Sequence, residues 1–165
     1  MGSVSGLSYD LKAVIARNSL LAAMASTLPS ARVVGLQQGL ALLPVSDALS
    51  DAVTDRAQPR RTDFWSLPSG FDRVLAEWSE AGSIAYVEAE YFGGTGEENV
   101  AVWRDGRLVL GPLHLLDGEL PPSDGTPVCL ALREVGVRAA EEEDEFTTVG
   151  LGKHRNTEGW AGKST

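Results

Sequence analysis

The dipeptide Asp105-Gly106 stands between two apolar runs, 99–104 and 107–111. A two-residue Asp-Gly link favours positive φ at both positions, which is the geometry of a type I′ hairpin. That turn sets a register. Trp103 falls opposite Leu108, and Val102 falls opposite Val109. The two pairs lie on opposite faces of the ribbon, because side chains alternate along a strand. Both pairs are apolar, so the hairpin needs apolar matter on both of its sides.

The neighbouring segment extends the same sheet. In 83–92, Ala85, Val87, Ala89 and Tyr91 share one face, and Ile84, Tyr86, Glu88, Glu90 and Phe92 share the other. Residues 7–17 read as a first strand. Segments 31–36 and 39–45 read as short strands whose missing alternation implies burial on both faces or a helix lying above. Helices are expected at 19–28 (capped by Asn18, stopped by Pro29), at 47–53 (capped by Ser46), at 71–81 and at 128–137. In 71–81 the residues Phe71, Val74, Leu75 and Trp78 keep helical spacing, with Ser69 as cap and Gly82 as stop. Residues 146–151 read as a short extended piece.

The rest reads as connection: an unstructured start at 1–6, a polar loop at 54–63 with the basic pair Arg60-Arg61, an acidic loop at 138–145, and a tail at 152–165. No repeat or linker divides the 165 residues, so one domain is expected. Its class is α+β, with an antiparallel or mixed sheet of about five to six strands and helices packed mainly on one face. Strand 83–92 and the hairpin form the centre.

Charge is uneven along the chain. The whole carries −9, yet residues 1–66 sum to +1, 88–145 to −10 and 146–165 to +2. A general nucleic-acid binder needs a basic face, so that class is excluded. The apolar stretch 20–24 is far below the roughly 20 residues of a membrane span. The single cysteine, Cys129, lies in an apolar run and reads as a small core residue. Lone-cysteine usage fits a cytoplasmic protein.

Candidate chemistry is sparse. Glu88 and Glu90 share a strand face about 7 Å apart. They read as a solvated or partner-facing surface flanked by Tyr86 and Phe92. Glu97, Glu98 and the run Glu141, Glu142, Glu143, Asp144, Glu145 add to that acidic face. The loop Gly93-Gly94-Thr95-Gly96-Glu97-Glu98 lacks the Lys-Ser/Thr of a phosphate-binding loop, ends in two glutamates that would repel an anion, and reads as a flexible hairpin loop. Lys153, His154 and Arg155 form a basic triplet beside glycines, which suits an anion or the protein's own acidic segment. No residue group has metal-ligand spacing, and no nucleophile–base pair is evident. No cofactor is expected.

Two stretches carry a resemblance. One is Ile84-Ala85-Tyr86-Val87-Glu88-Ala89-Glu90-Tyr91-Phe92-Gly93-Gly94-Thr95-Gly96 followed by Ala101-Val102-Trp103. The other is Leu132-Arg133-Glu134-Val135-Gly136-Val137 with Asp144-Glu145-Phe146 and Gly150-Leu151-Gly152-Lys153-His154-Arg155. Together they resemble small uncharacterised bacterial proteins of the polymorphic-toxin immunity type. The resemblance implies an acidic α+β protein that neutralises a basic partner by covering it, and it carries no catalytic residues. The expected role is therefore non-enzymatic binding of a basic protein such as a toxin, by a monomer or homodimer. A pocket near Glu88, Glu90 and a histidine would instead favour a small-molecule-binding protein or enzyme. Pairing through the edge of the 83–111 sheet would favour a structural subunit of a homo-oligomer.

Overall fold

A computed structural model describes residues 8–28, 30–59, 63–92, 95–116, 118–120 and 123–162. The unstructured start at 1–6, the stop at Pro29, the Arg60-Arg61 pair and the Gly93-Gly94 turn fall outside these residues.

Among the described residues six strands form one antiparallel sheet: β1 (Tyr9–Arg17), β2 (Val34–Gly35), β3 (Leu40–Pro44), β4 (Ile84–Phe92), β5 (Thr95–Arg104) and β6 (Arg107–Leu115). Their spatial order is β2-β3-β1-β4-β5-β6. The Asp105-Gly106 turn forms as expected, with φ of 55° and 78°. Trp103 pairs with Leu108, but register shifts move Val102 onto Leu110 instead of Val109.

Helices cover both faces of this sheet rather than mainly one. The first three follow strands of the N-terminal half: α1 (Asn18–Ala25), α2 (Asp47–Val53) and α3 (Phe71–Trp78). Leu21, Leu49, Phe71 and Leu75 from these helices pack with Val14, Leu43, Tyr86 and Trp103. The other three close the opposite face: α4 (Pro127–Glu134), α5 (Glu145–Val149) and α6 (Thr157–Trp160). Val128, Leu132, Val149 and Trp160 pack there with Leu11, Ile15, Val87 and Val102. Double coverage explains why β3 is buried at every position and shows no alternation.

Local capping accounts for most boundaries. Ser46 Oγ accepts from the Leu49 N–H at the start of α2, and Thr126 Oγ1 accepts from Cys129 N–H at the start of α4. Two expected caps do not form. Asn18 is the first residue of α1 rather than its cap, and Gly70, not Ser69, precedes α3. The piece read as extended, 146–151, is helical instead. Asp144 Oδ1 accepts from Thr147 N–H and starts α5, outweighing the β-branched pair Thr147-Thr148.

The segment read as a tail is part of the fold. Tyr9 OH donates to the Leu151 carbonyl at 2.9 Å, Asp10 N–H to the Arg155 carbonyl at 2.9 Å, and Lys12 N–H to Thr157 Oγ1 at 3.0 Å. Trp160 is 1% exposed. Among the described residues no helix is long and apolar enough to cross a membrane.

Candidate functional site

Strand register lays polar residues in rows across one face of the sheet. Lys12 lies opposite Glu88, Glu88 opposite Asn99, and Asn99 opposite His114. One step nearer the strand ends, Asp10 lies opposite Glu90 and Glu90 opposite Glu97. These two rows differ in burial, and burial decides their chemistry.

Glu88 is fully buried, contrary to the expected surface position. The segment 64–66 folds over it. Trp65 N–H donates to Oε1 and Ser66 N–H to Oε2, both at 2.8 Å. Tyr86 OH donates to Oε2 at 2.7 Å, and the Asn99 amide donates to Oε1 at 3.2 Å. Four donors thus satisfy the carboxylate, which acts as an internal cap for a loop. Tyr86 is fully buried as well, so neither residue is a surface anchor. Burial and the adjacent Glu88 charge push the Tyr86 phenol well above its ordinary range. Asn99 Oδ1 lies 2.6 Å from His114 Nδ1 and links the exposed histidine to the buried acid. His114 is thereby oriented, but no nucleophile stands beside it among these contacts.

The outer row remains accessible. Asp10 and Glu90 are exposed and Glu97 is half-buried. Opposite positions in a sheet stand about 5 Å apart, so three like charges in a row repel. Among the described residues these carboxylates form no ion pair; Arg104 pairs with Glu134 and Arg133 with Glu145. Two exposed aromatics flank the row, Phe92 on β4 (64% exposed) and Trp65 on the covering loop (36%).

The other expected acidic residues divide similarly. Glu141, Glu142, Glu143 and Asp144 are exposed. Asp144 caps α5, and Glu143 accepts from the Thr148 hydroxyl. Glu145 is not part of that surface. It is buried, with Oε2 3.0 Å from Arg133 Nε. The basic triplet does not meet the acidic run in these contacts. Arg155 donates to the Ser8 carbonyl, and His154 stacks edge-on against Trp160. Lys153 lines a separate cavity of about 440 Å3 with Trp160 and Leu36.

Glu98 faces the other side of the sheet and is fully buried, again contrary to the surface reading. Its Oε1 accepts from Val128 N–H at the start of α4, at 2.8 Å. Its Oε2 is buried with no hydrogen-bond partner. Burial raises the Glu98 pKa, against lowering by the Val128 N–H and the Thr126 hydroxyl. Burial likewise raises the Cys129 thiol, which keeps it a protonated core residue.

No family model, curated protein or solved structure matches the chain. The geometry of the rows and cavities is therefore the ground for a functional reading. Among the described residues, no group of three His, Cys, Asp or Glu is placed to hold a metal ion.

The raised Glu98 pKa has a consequence for stability. A carboxyl that holds its proton more tightly when folded destabilises the fold once pH climbs past its ordinary value, 4.5. Glu98→Gln removes that cost and keeps an acceptor for Val128. Relative to the wild type, the variant should be more stable at neutral pH than in acid. Thermal melts at both pH values measure it. The same difference between the two proteins at both pH values would show that the carboxyl is not penalised.

Proposed function

We propose that this chain is a non-enzymatic binding protein of the inhibitor or immunity type, docking an acidic surface on a basic partner protein. The observation that carries this reading is the row Asp10–Glu90–Glu97 between two exposed aromatics. Neighbouring like charges weaken a sheet. Their juxtaposition is useful where an opposite charge arrives from outside, because a one-sign patch accelerates encounter. Phe92 and Trp65 supply large apolar area beside it, the kind that anchors an interface. The exposed Glu141–Asp144 stretch is a second acidic surface, leading into α5 on the other face of the sheet. Burial of Glu88, Glu98 and Glu145 narrows the docking face to fewer acids than the sequence offers.

Affinity capture tests the reading. The wild type should retain a basic protein, with affinity falling at least about tenfold between ~0.05 and ~0.3 M salt. The triple variant Asp10→Asn/Glu90→Gln/Glu97→Gln should lose it. A partner held equally by the triple variant, or insensitive to salt, would overturn the proposal.

A further inference from the structure

On the face opposite the acidic row, at the same strand ends, lies a cavity of about 390 Å3. Register builds it. Tyr9, Tyr91 and Gly96 form one row across β1, β4 and β5, and Glu98 lies in the next row inward. A side chain at position 96 would overlap the Tyr91 ring, so the glycine gives that ring its place. Phe146 of α5 completes a line of rings. Tyr9 lies 6.1 Å from Tyr91 and 5.5 Å from Phe146, centroid to centroid.

Two carboxyl groups, Glu98 and Asp144, share this lining with the three rings, and none of the lining residues is basic. The Glu98 Oε2 is the unusual part. It is buried and makes no hydrogen bond, although the Thr126 hydroxyl acts on the same carboxyl. An unpaired carboxyl oxygen of this kind calls for a donor from outside the fold. Aromatic faces attract cations through their quadrupoles, most strongly where water is excluded. Rings and carboxyls together select one class of group, a cation with an apolar stem. A lysine side chain has this form, since its methylenes pack on rings while its ammonium donates three hydrogen bonds.

We propose that this cavity is the seat of an aliphatic ammonium group, and that in the docked complex it receives a lysine side chain of the partner. The second half rests on the docking reading above. The ammonium donates to Glu98 and Asp144, and the methylene stem lies against Tyr9, Tyr91 and Phe146.

The test is an NMR titration of the intact chain with Nα-acetyl-lysine methylamide. Its Nζ-acetylated form and the norleucine analogue serve as neutral controls. Shifts should concentrate at Tyr9, Tyr91, Cys129 and Phe146, with binding in the roughly millimolar range. The controls should bind at least about fivefold more weakly. Glu98→Gln and Phe146→Leu should each weaken the lysine compound by a similar factor, ~5-fold. The thermal melt of Glu98→Gln separates a loss of binding from a loss of fold. Absence of shifts at the cavity, equal binding of norleucine, or unchanged binding by both variants would overturn the proposal.

The two readings fail separately. The Asp10→Asn/Glu90→Gln/Glu97→Gln protein should still bind the lysine compound. If the compound binds and no basic protein does, the docking reading falls and the ammonium seat stands. If a basic protein binds equally to wild type, Glu98→Gln and Phe146→Leu, the lysine seat falls.

Discussion

Glu88→Ala is expected to lower the unfolding free energy by about 3–5 kcal/mol. The figure follows from what the carboxylate satisfies. Two main-chain N–H groups, a phenol and an amide all point at it. Alanine removes every acceptor at once and leaves those donors buried, each at a cost of about 1–3 kcal/mol before relaxation. Water entering the space recovers part of that cost, so the donors do not simply add. Glu88→Gln should lie between alanine and wild type, since one acceptor oxygen survives while an NH2 is turned toward N–H donors. Urea unfolding measures both variants. Hydrogen exchange at the Trp65 and Ser66 amides should accelerate, because their acceptor is gone. A loss within about 1 kcal/mol for alanine would mean that solvent already reaches these groups.

Trp160→Ala carries the second large effect, also about 3–5 kcal/mol. A ring that is 1% exposed fills the layer between β1 and β3 and the C-terminal helices. Removing it leaves a void that the short helix α6 is poorly placed to close. The α6 N-cap, Asn156 to Gly159 N–H at 2.6 Å, depends on the same packing for its position. Chemical denaturation should show the midpoint shift without a separate early transition. An early, independent melting of residues 151–160 would show instead that they are only loosely attached.

These two residues also mark where the sequence stops being readable. Alternation placed Glu88 correctly on the face of Tyr86, and its charge suggested water. What buries it is residues 64–66, twenty-odd positions upstream and without local periodicity. No strand pattern encodes a loop that arrives from elsewhere. Trp160 stands among Thr157, Glu158 and Gly159, in a segment too short and polar to display an apolar face. Glu98 was hidden in the same way, by α4 docking its first turn on the carboxyl.

The sheet was legible because its signals are local. Asp105-Gly106 fixed the hairpin, and the alternation of 83–92 fixed the strand beside it. The apolar pairs expected on both faces of the hairpin did not predict its cover: Val102 pairs with Leu110, and Leu108 and Val109 are both exposed. Helix α5 was missed because its start depends on one cap, Asp144, inside an acidic run that resembles a solvated loop. Of the candidate site, Glu90 was legible on the sheet, whereas Glu97 was read in the glycine-rich loop and joins the row because β5 begins at Thr95. Asp10 was not legible, since only the pairing of β1 with β4 brings it alongside. The cavity required that pairing too, plus the docking of α5, and Gly96 was its one visible trace.

The bonds from β1 to residues 151–157 span separations of 142 to 145 along the chain for Tyr9 and Lys12. Contacts this distant in sequence must wait for a large loop to close, which slows folding. The face covered by α1, α2 and α3 uses residues made early in synthesis. The face carrying the ammonium cavity cannot be finished until residues 146–160 have been added. A nascent chain therefore exposes one apolar side of β1 and β4 from the completion of β4 until residues 146–160 have been added, and the cavity forms only then.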